Sequence, residues 1–197
     1  MGMTRFFDIL FSFLGLIALS PLFVVLYVLI CLESKGGGFY SQERVGRNGV
    51  PFRLYKFRSM RVGSDRKGLI TIGEHDNRIT RAGLFIRKYK LDELPQLWNV
   101  LIGDMSLVGP RPEVEKYTSL YTPEQRRVLD VRPGITDWAS IEYIDENRIL
   151  DKASDPDKVY VEQIMPAKIA LNMRYINHRT VGEYFRIIFA TFVGIAR

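Results

Sequence analysis

From Ile9 to Leu32 no residue carries a charge, and only Ser12 and Ser20 are strongly polar. About 24 residues lie in this run, and about 20 suffice to cross the hydrocarbon core of a bilayer. It is too long for a signal-peptide core, and no small-residue cleavage pattern follows it. Glu33-Ser34-Lys35-Gly36-Gly37-Gly38 reads as an exit into a flexible turn. The expected organisation is a retained membrane anchor over residues 1–35 and one domain over residues 36–197. Overall usage, 47% hydrophobic and 25% charged, excludes wholesale disorder, collagen and a polytopic membrane protein.

Ser20-Pro21 interrupts the anchor near its middle. Pro21 has no N–H for the carbonyl of Ile17, and its ring pushes that turn apart, so a kink is expected. The Ser20 hydroxyl can return one hydrogen bond to the preceding turn. Two topologies stay open: a kinked helix that spans the membrane, or two half-helices that enter and leave by one face. Arg5 precedes the run and Lys35, Arg44 and Arg47 follow it, which weakens a positive-inside argument for a span. Length and hydropathy alone favour the span.

Charge is distributed unevenly. The chain holds 28 Lys/Arg and 22 Asp/Glu, but 14 of the basic and only 6 of the acidic residues lie between Arg44 and Arg111. The whole positive excess therefore sits in one central stretch. Such a stretch suits phosphate-rich small molecules, anionic headgroups or nucleic acid; the alternative is a solvated basic surface. Cys31, in the apolar run, is the only cysteine, so no internal disulfide forms. His75 and His178 are far apart, and no cluster has zinc spacing.

Within the basic stretch, extended backbone over Lys56-Phe57-Arg58-Ser59-Met60 puts Lys56 and Arg58 on one face, able to grip a diphosphate. Ser64 to Asn77 reads as a polar loop. A strongly basic helix is expected from Thr80 or Arg81 to about Lys90, with Leu84, Phe85 and Tyr89 on its apolar side. Next comes Leu91-Asp92-Glu93-Leu94-Pro95, opening a helix whose Leu94, Leu97, Trp98 and Leu101 share one face expected to be buried. In a purely structural reading, Asp92 caps that helix and Glu93 complements its dipole. The functional reading rests on the neighbours. Four cations lie within the ten residues that end at Lys90, and a short strand after Gly103 breaks into Pro110-Arg111-Pro112. Flanking prolines fix an arginine and reduce the entropy lost when it grips an anion. Carboxylates amid such cations point to phosphate chemistry.

These segments resemble the bacterial sugar transferases, the small monotopic phosphoglycosyl transferases. The resemblance rests on Lys56-Phe57-Arg58-Ser59-Met60, Arg78-Ile79-Thr80-Arg81-Ala82-Gly83, Leu91-Asp92-Glu93-Leu94-Pro95-Gln96-Leu97, the run from Asn99 to Pro112, and Arg132-Pro133-Gly134-Ile135-Thr136. Their order behind a Ser-Pro-broken anchor makes the match specific. Asp137-Trp138-Ala139-Ser140 departs from it: a glycine is expected before the tryptophan, and often a glutamine after the alanine. That departure bears on loop geometry and sugar preference.

The resemblance implies an α+β, mainly helical fold, with a re-entrant helix-break-helix at Ser20-Pro21 and interfacial amphipathic helices. It implies transfer of a sugar 1-phosphate from a UDP-sugar donor to a polyprenol (undecaprenyl) phosphate acceptor, releasing UMP and starting glycan assembly. Asp92 matches the nucleophile that carries a covalent phosphosugar, and Glu93 the adjacent glutamate that assists the acceptor phosphate or positions the metal. Arg87 and Arg111, the latter held by Pro110 and Pro112, match phosphate-site arginines; Lys56 and Arg58 are assigned to the same site. The implied cofactor is Mg²⁺ with Asp92 as ligand. Membrane lipids are partners, nucleic acid is not, and a homodimer is compatible. The implied location is the cytoplasmic face of the bacterial inner membrane. UDP-linked N-acetylated or amino-deoxy hexoses lead as donors, with UDP-hexoses next. The competing class is a membrane-anchored nucleotide- or nucleic-acid-binding protein without transferase activity, but neither a groove-reading helix nor aromatics interleaved with the cations is found.

In the C-terminal third, Thr122-Pro123-Glu124-Gln125 reads as a capping box. Asp155-Pro156 opens one helix and Pro166 another. Thr180 to Glu183 caps a last apolar helix. Two readings stay open for it: a core helix, or an interfacial one with Arg186 and Arg197 toward headgroups.

Overall fold

The computed structural model describes residues 2–64 and 76–195. Most of the loop expected between Ser64 and Asn77, and Arg197, lie outside the described residues. The anchor is two helices, α1 (Gly2–Ala18) and α2 (Ser20–Glu33), bent by 61° at the break. Among the described residues no single helix is long and apolar enough to cross a membrane. Ser20 Oγ donates to the carbonyl of Ile17 at 2.8 Å, the carbonyl that Pro21 leaves without a backbone donor.

Both outer ends of this bent pair are fastened to the rest of the chain. On α1, the Asp8 carboxylate accepts from Ser106 Oγ, from the Leu107 N–H at 2.9 Å and from the Tyr184 hydroxyl at 2.8 Å. Arg5 donates to the carbonyls of Val100 and Leu101 at 2.6 and 3.0 Å. At the end of α2, Glu33 accepts from the free N–H groups of Arg81 and Ala82, so it caps the next helix.

Beyond the anchor, β1 (Phe39–Val45) and β2 (Pro51–Phe57) form an antiparallel hairpin that pairs Tyr40 with Lys56. Helix α3 (Arg81–Lys88) starts at Thr80, whose side chain accepts from Gly83 N–H. Gly83 sits so close to the Ser59 carbonyl that any Cβ would collide with it. Then follow α4 (Gln96–Ile102) and β3 (Ser106–Val108), which pairs in parallel with β4 (Gly134–Thr136). Between them lie α5 (Glu115–Thr118) and α6 (Pro123–Arg126), the latter closed by the capping box of Thr122 and Gln125. The chain ends with α7 (Trp138–Glu142), α8 (Glu146–Asp151), α9 (Pro156–Val159), α10 (Met165–Asn177) and α11 (Val181–Ile195). The α+β, mainly helical class holds.

The structure refines four local readings. In α3 it is Ile86 that is buried, against Leu26, Ile30 and Phe57, while Leu84, Phe85 and Tyr89 are about half exposed. In α4 the buried positions are Gln96, Asn99 and Val100, and Trp98 is exposed. That helix packs on both α1 and β2, and its polar side faces the strand. Asp155 caps α9, and Pro166 stands in the first turn of α10, which continues from α9 through a π-helical turn, Tyr160–Ile164. Finally, α11 packs one side into the core and leaves its other side exposed. Tyr184 and Ile187 are fully buried, whereas Phe189 and Phe192 are about 70% exposed on its other side.

Candidate active site

Asp92 does not cap a helix. Lys90 adopts a left-handed conformation (φ 56°), which ends α3 and throws the chain into a 3₁₀ turn, Leu91–Glu93, that precedes α4. Non-glycine residues rarely hold that conformation, and such strain collects at functional sites. The turn carries Asp92 inward, where it is 7% exposed. Asn99 fixes the turn's distance from β2 by acting as a backbone substitute: its amide oxygen accepts from Tyr55 N–H at 3.0 Å and its NH₂ donates to the Arg53 carbonyl at 2.7 Å. Lys56, next along the strand, therefore lands over the turn.

Arg111 arrives from the opposite side. Gly109 and Gly134 touch backbone to backbone, with no room for a Cβ on either, so β3 and β4 deliver the Pro110-Arg111-Pro112 turn in one position. Asp137, fully buried, accepts from the Arg111 N–H at 3.1 Å. Arg44 donates to the Pro112 carbonyl at 3.1 Å. The Arg111 guanidinium then grips Glu93 two-pronged, and Lys56 Nζ lies 3.2 Å from the same carboxylate. Lys56 is 4.0 Å from Asp92.

The two adjacent carboxylates so acquire opposite chemistry. Burial pushes the Asp92 carboxyl up, and Lys56 offsets this only in part. Burial also acts against ionised Glu93, but Arg111 and Lys56 outweigh it and hold Glu93 well below the usual carboxylate range. Burial lowers Lys56, with Glu93 opposing, and Glu93 raises Arg111. Glu93 is thus an occupied carboxylate and Asp92 an available one.

These groups line one open cavity of about 760 Å³. Lys56, Arg87, Lys90 and Arg111 line it together with Asp92 and Glu93. Arg58 also lines it, but its guanidinium is committed to the carbonyls of Ser34, Lys35 and Gly36 at 2.6–3.2 Å, where it fastens the end of the anchor. Pro110 and Pro112 frame Arg111 from behind, against a separate small pocket. Among the described residues no three metal-ligating side chains cluster. Sequence reasoning missed Asn99, Asp137 and Asp8. The one signal for Asn99 was an amide in a helix otherwise rich in Leu and Val.

The site thus sets a buried, available carboxylate among cations that line one cavity. The chain belongs to the bacterial sugar transferase family, whose model matches residues 1–197. It is 44% identical over 142 residues to the UDP-N-acetylgalactosamine-undecaprenyl-phosphate N-acetylgalactosaminephosphotransferase of Aeromonas hydrophila, covering 70% of this chain and 33% of that one. It is 38% identical over 199 residues to the galactosyl transferase CpsE of Streptococcus agalactiae, covering 95% and 40%. It is 33% identical over 192 residues to the UDP-glucose:undecaprenyl-phosphate glucose-1-phosphate transferase of Escherichia coli, covering 93% and 38%. The chain thus spans a third to two fifths of these relatives.

Proposed function

We propose that the protein transfers a sugar 1-phosphate from a UDP-sugar to undecaprenyl phosphate, the step that starts assembly of a cell-surface glycan. The observation that carries the reading is the contrast within the Asp92-Glu93 pair at the cavity floor. An Asp92 carboxylate oxygen attacks the β-phosphorus of the donor. The bond from that phosphorus to the bridging oxygen breaks, UMP leaves, and the sugar phosphate stays as an acyl phosphate on Asp92. The acceptor's phosphate oxygen then attacks the same phosphorus and regenerates the carboxylate. Arg111, Arg87 and Lys56 stabilise charge on the phosphoryl oxygens. Glu93 holds Arg111 and Lys56 in place. Asp92 together with the donor's own phosphates fits the sparse protein coordination typical of Mg²⁺, which would neutralise developing charge when bound.

The bent anchor supports one-sided membrane seating at the cytoplasmic face of the inner membrane. Both its ends are fastened to one domain. With 1.5 Å rise per residue and the 61° bend, the break lies about 12 Å below the line joining those ends, against a core of about 30 Å. The fastening of both ends and this shallow depth support a re-entrant helix-break-helix. Met3, Phe6 and Phe13 on α1 and Phe189 and Phe192 on α11 are exposed, which suits contact with lipid.

The test is UMP release by the full chain in detergent micelles with a panel of UDP-sugars and undecaprenyl phosphate. Release with at least one donor is expected; none with any donor contradicts the reading. Topology is read separately from Met3→Cys in a Cys31→Ser background, because Met3 is exposed. An impermeant thiol reagent should leave intact cells unlabelled and label them only after permeabilisation. Labelling of intact cells would show a span.

A further inference from the structure

The cavity has two electrically different walls. Around Asp92 the surplus is cationic, with Arg87 and Lys90 beside the Arg111–Glu93–Lys56 cluster. The other wall is charge-balanced. Lys168, 8% exposed, pairs with Glu146 at 2.8 Å, and its ammonium lies 5.7 Å from the Tyr160 ring centre. Tyr143 and Ser140 complete this wall, and the Ser140 hydroxyl oxygen is buried without a hydrogen-bond partner. A serine hydroxyl left unpaired at the cavity lining can rotate about its Cα–Cβ bond to pair a ligand group. A neutral wall of hydroxyl, carboxylate, ammonium and aromatic rings suits a neutral ligand with hydroxyls on its edge and C–H groups on its face.

Asp137 locates this wall relative to the chemistry. One of its carboxylate oxygens accepts from the Arg111 N–H at 3.1 Å, and the other from the Ser140 N–H at 2.6 Å. Ser140 is therefore one side chain away from the arginine beside the nucleophile. In a UDP-sugar the hexose is bonded to the phosphate under attack, while the nucleoside lies one phosphate further off. We propose that Ser140, Glu146 and Lys168 form the donor-sugar subsite and set which hexose is accepted. Ser140 hydrogen-bonds one ring substituent, and the Glu146–Lys168 pair reads neighbouring hydroxyl or acylamino groups. The assignment rests on the transferase reading above. Ser140 also belongs to the stretch that departs from the family resemblance, so the departure falls where sugar identity would be read.

The experiment compares the full-length parent with Ser140→Ala and Glu146→Gln. The readout is the ratio of kcat/KM between the best UDP-hexose and its epimer at one carbon, alongside inhibition by UDP, which lacks the hexose. Loss of one neutral hydrogen bond should change the ratio about fivefold in Ser140→Ala, and loss of the charged acceptor about tenfold or more in Glu146→Gln, with UDP inhibition unchanged. If Glu146→Gln does not fold, Ser140→Ala, which removes a single oxygen, decides alone. An unchanged ratio with a uniform loss across donors, or weaker UDP inhibition in step with the loss, overturns the assignment. A parent that turns over no UDP-sugar overturns the transferase reading itself, and this assignment with it.

Discussion

Two aspartates, one on the anchor and one on the cavity floor, are almost equally hidden from water: Asp8 is 3% exposed and Asp92 7%. Their surroundings differ. Asp8 accepts from Ser106, from the Leu107 backbone and from Tyr184, so its lone pairs are occupied by donors of the fold. Asp92 receives no hydrogen bond among the described residues, and its nearest cation, Lys56, stands at 4.0 Å and is drawn closer to Glu93. Burial alone therefore does not mark a reactive carboxylate. A saturated one holds elements together, and a starved one keeps its electron pairs for a ligand.

The largest effect that would sharpen this contrast is expected from Asp92→Asn. Turnover should fall at least about a thousandfold, the scale of removing a covalent nucleophile. The fold should not suffer. Burial raises the Asp92 carboxyl, so its contribution to stability is complete below the unfolded value and is lost as pH rises through the folded one. At pH 7 the neutral amide escapes that loss, and Tm should equal or exceed the parent's. A lower Tm would mean that Asp92 is structural like Asp8. Next in size, Arg111→Lys keeps the charge but loses the two-pronged grip on Glu93, and kcat/KM should fall well over about tenfold. Parent-like kcat/KM would reduce Arg111 to a surface charge.

Asp8→Ala should show the opposite pattern. It strands several buried donors, so unfolding in urea should show a loss of about 2–4 kcal/mol, while the enzyme that remains folded keeps its kcat. A lost kcat at unchanged stability would break the contrast. The smallest effect is on the pH profile. The acid limb of kcat/KM should lie above the ordinary aspartate range, about 3.9, because the raised Asp92 must be ionised to attack. Glu93 adds to that rise, so Glu93→Gln should move the limb to lower pH. A limb that stays in place would separate the two carboxylates.

What the sequence made legible divides along the same line. Local devices could be read directly: the Ser20-Pro21 break and its hydroxyl bond, the Thr122 capping box, the Pro110-Arg111-Pro112 turn, and the Asp92-Glu93 pair amid cations. Each depends on residues close together in the chain. Asp8, by contrast, meets Ser106 and Tyr184 across 98 and 176 residues of the chain. Arg58, read as a phosphate ligand from its alternation with Lys56, is turned to the anchor's exit by carbonyls more than twenty residues away. The apolar stripe of α4 does not become a buried face, because the helix has an anchor helix on one side and a strand on the other. Periodicity reports which face is apolar but not what will cover it.

Whether Asp92 carries the sugar phosphate is read most directly from intact mass. Parent and Asp92→Asn are incubated with the UDP-sugar that supports turnover, without acceptor, and the protein is weighed. The parent should gain the mass of one sugar phosphate, with UMP released in equal amount, and Asp92→Asn should gain nothing. The same adduct on Asp92→Asn, or UMP release by a parent that stays unmodified, would contradict the account.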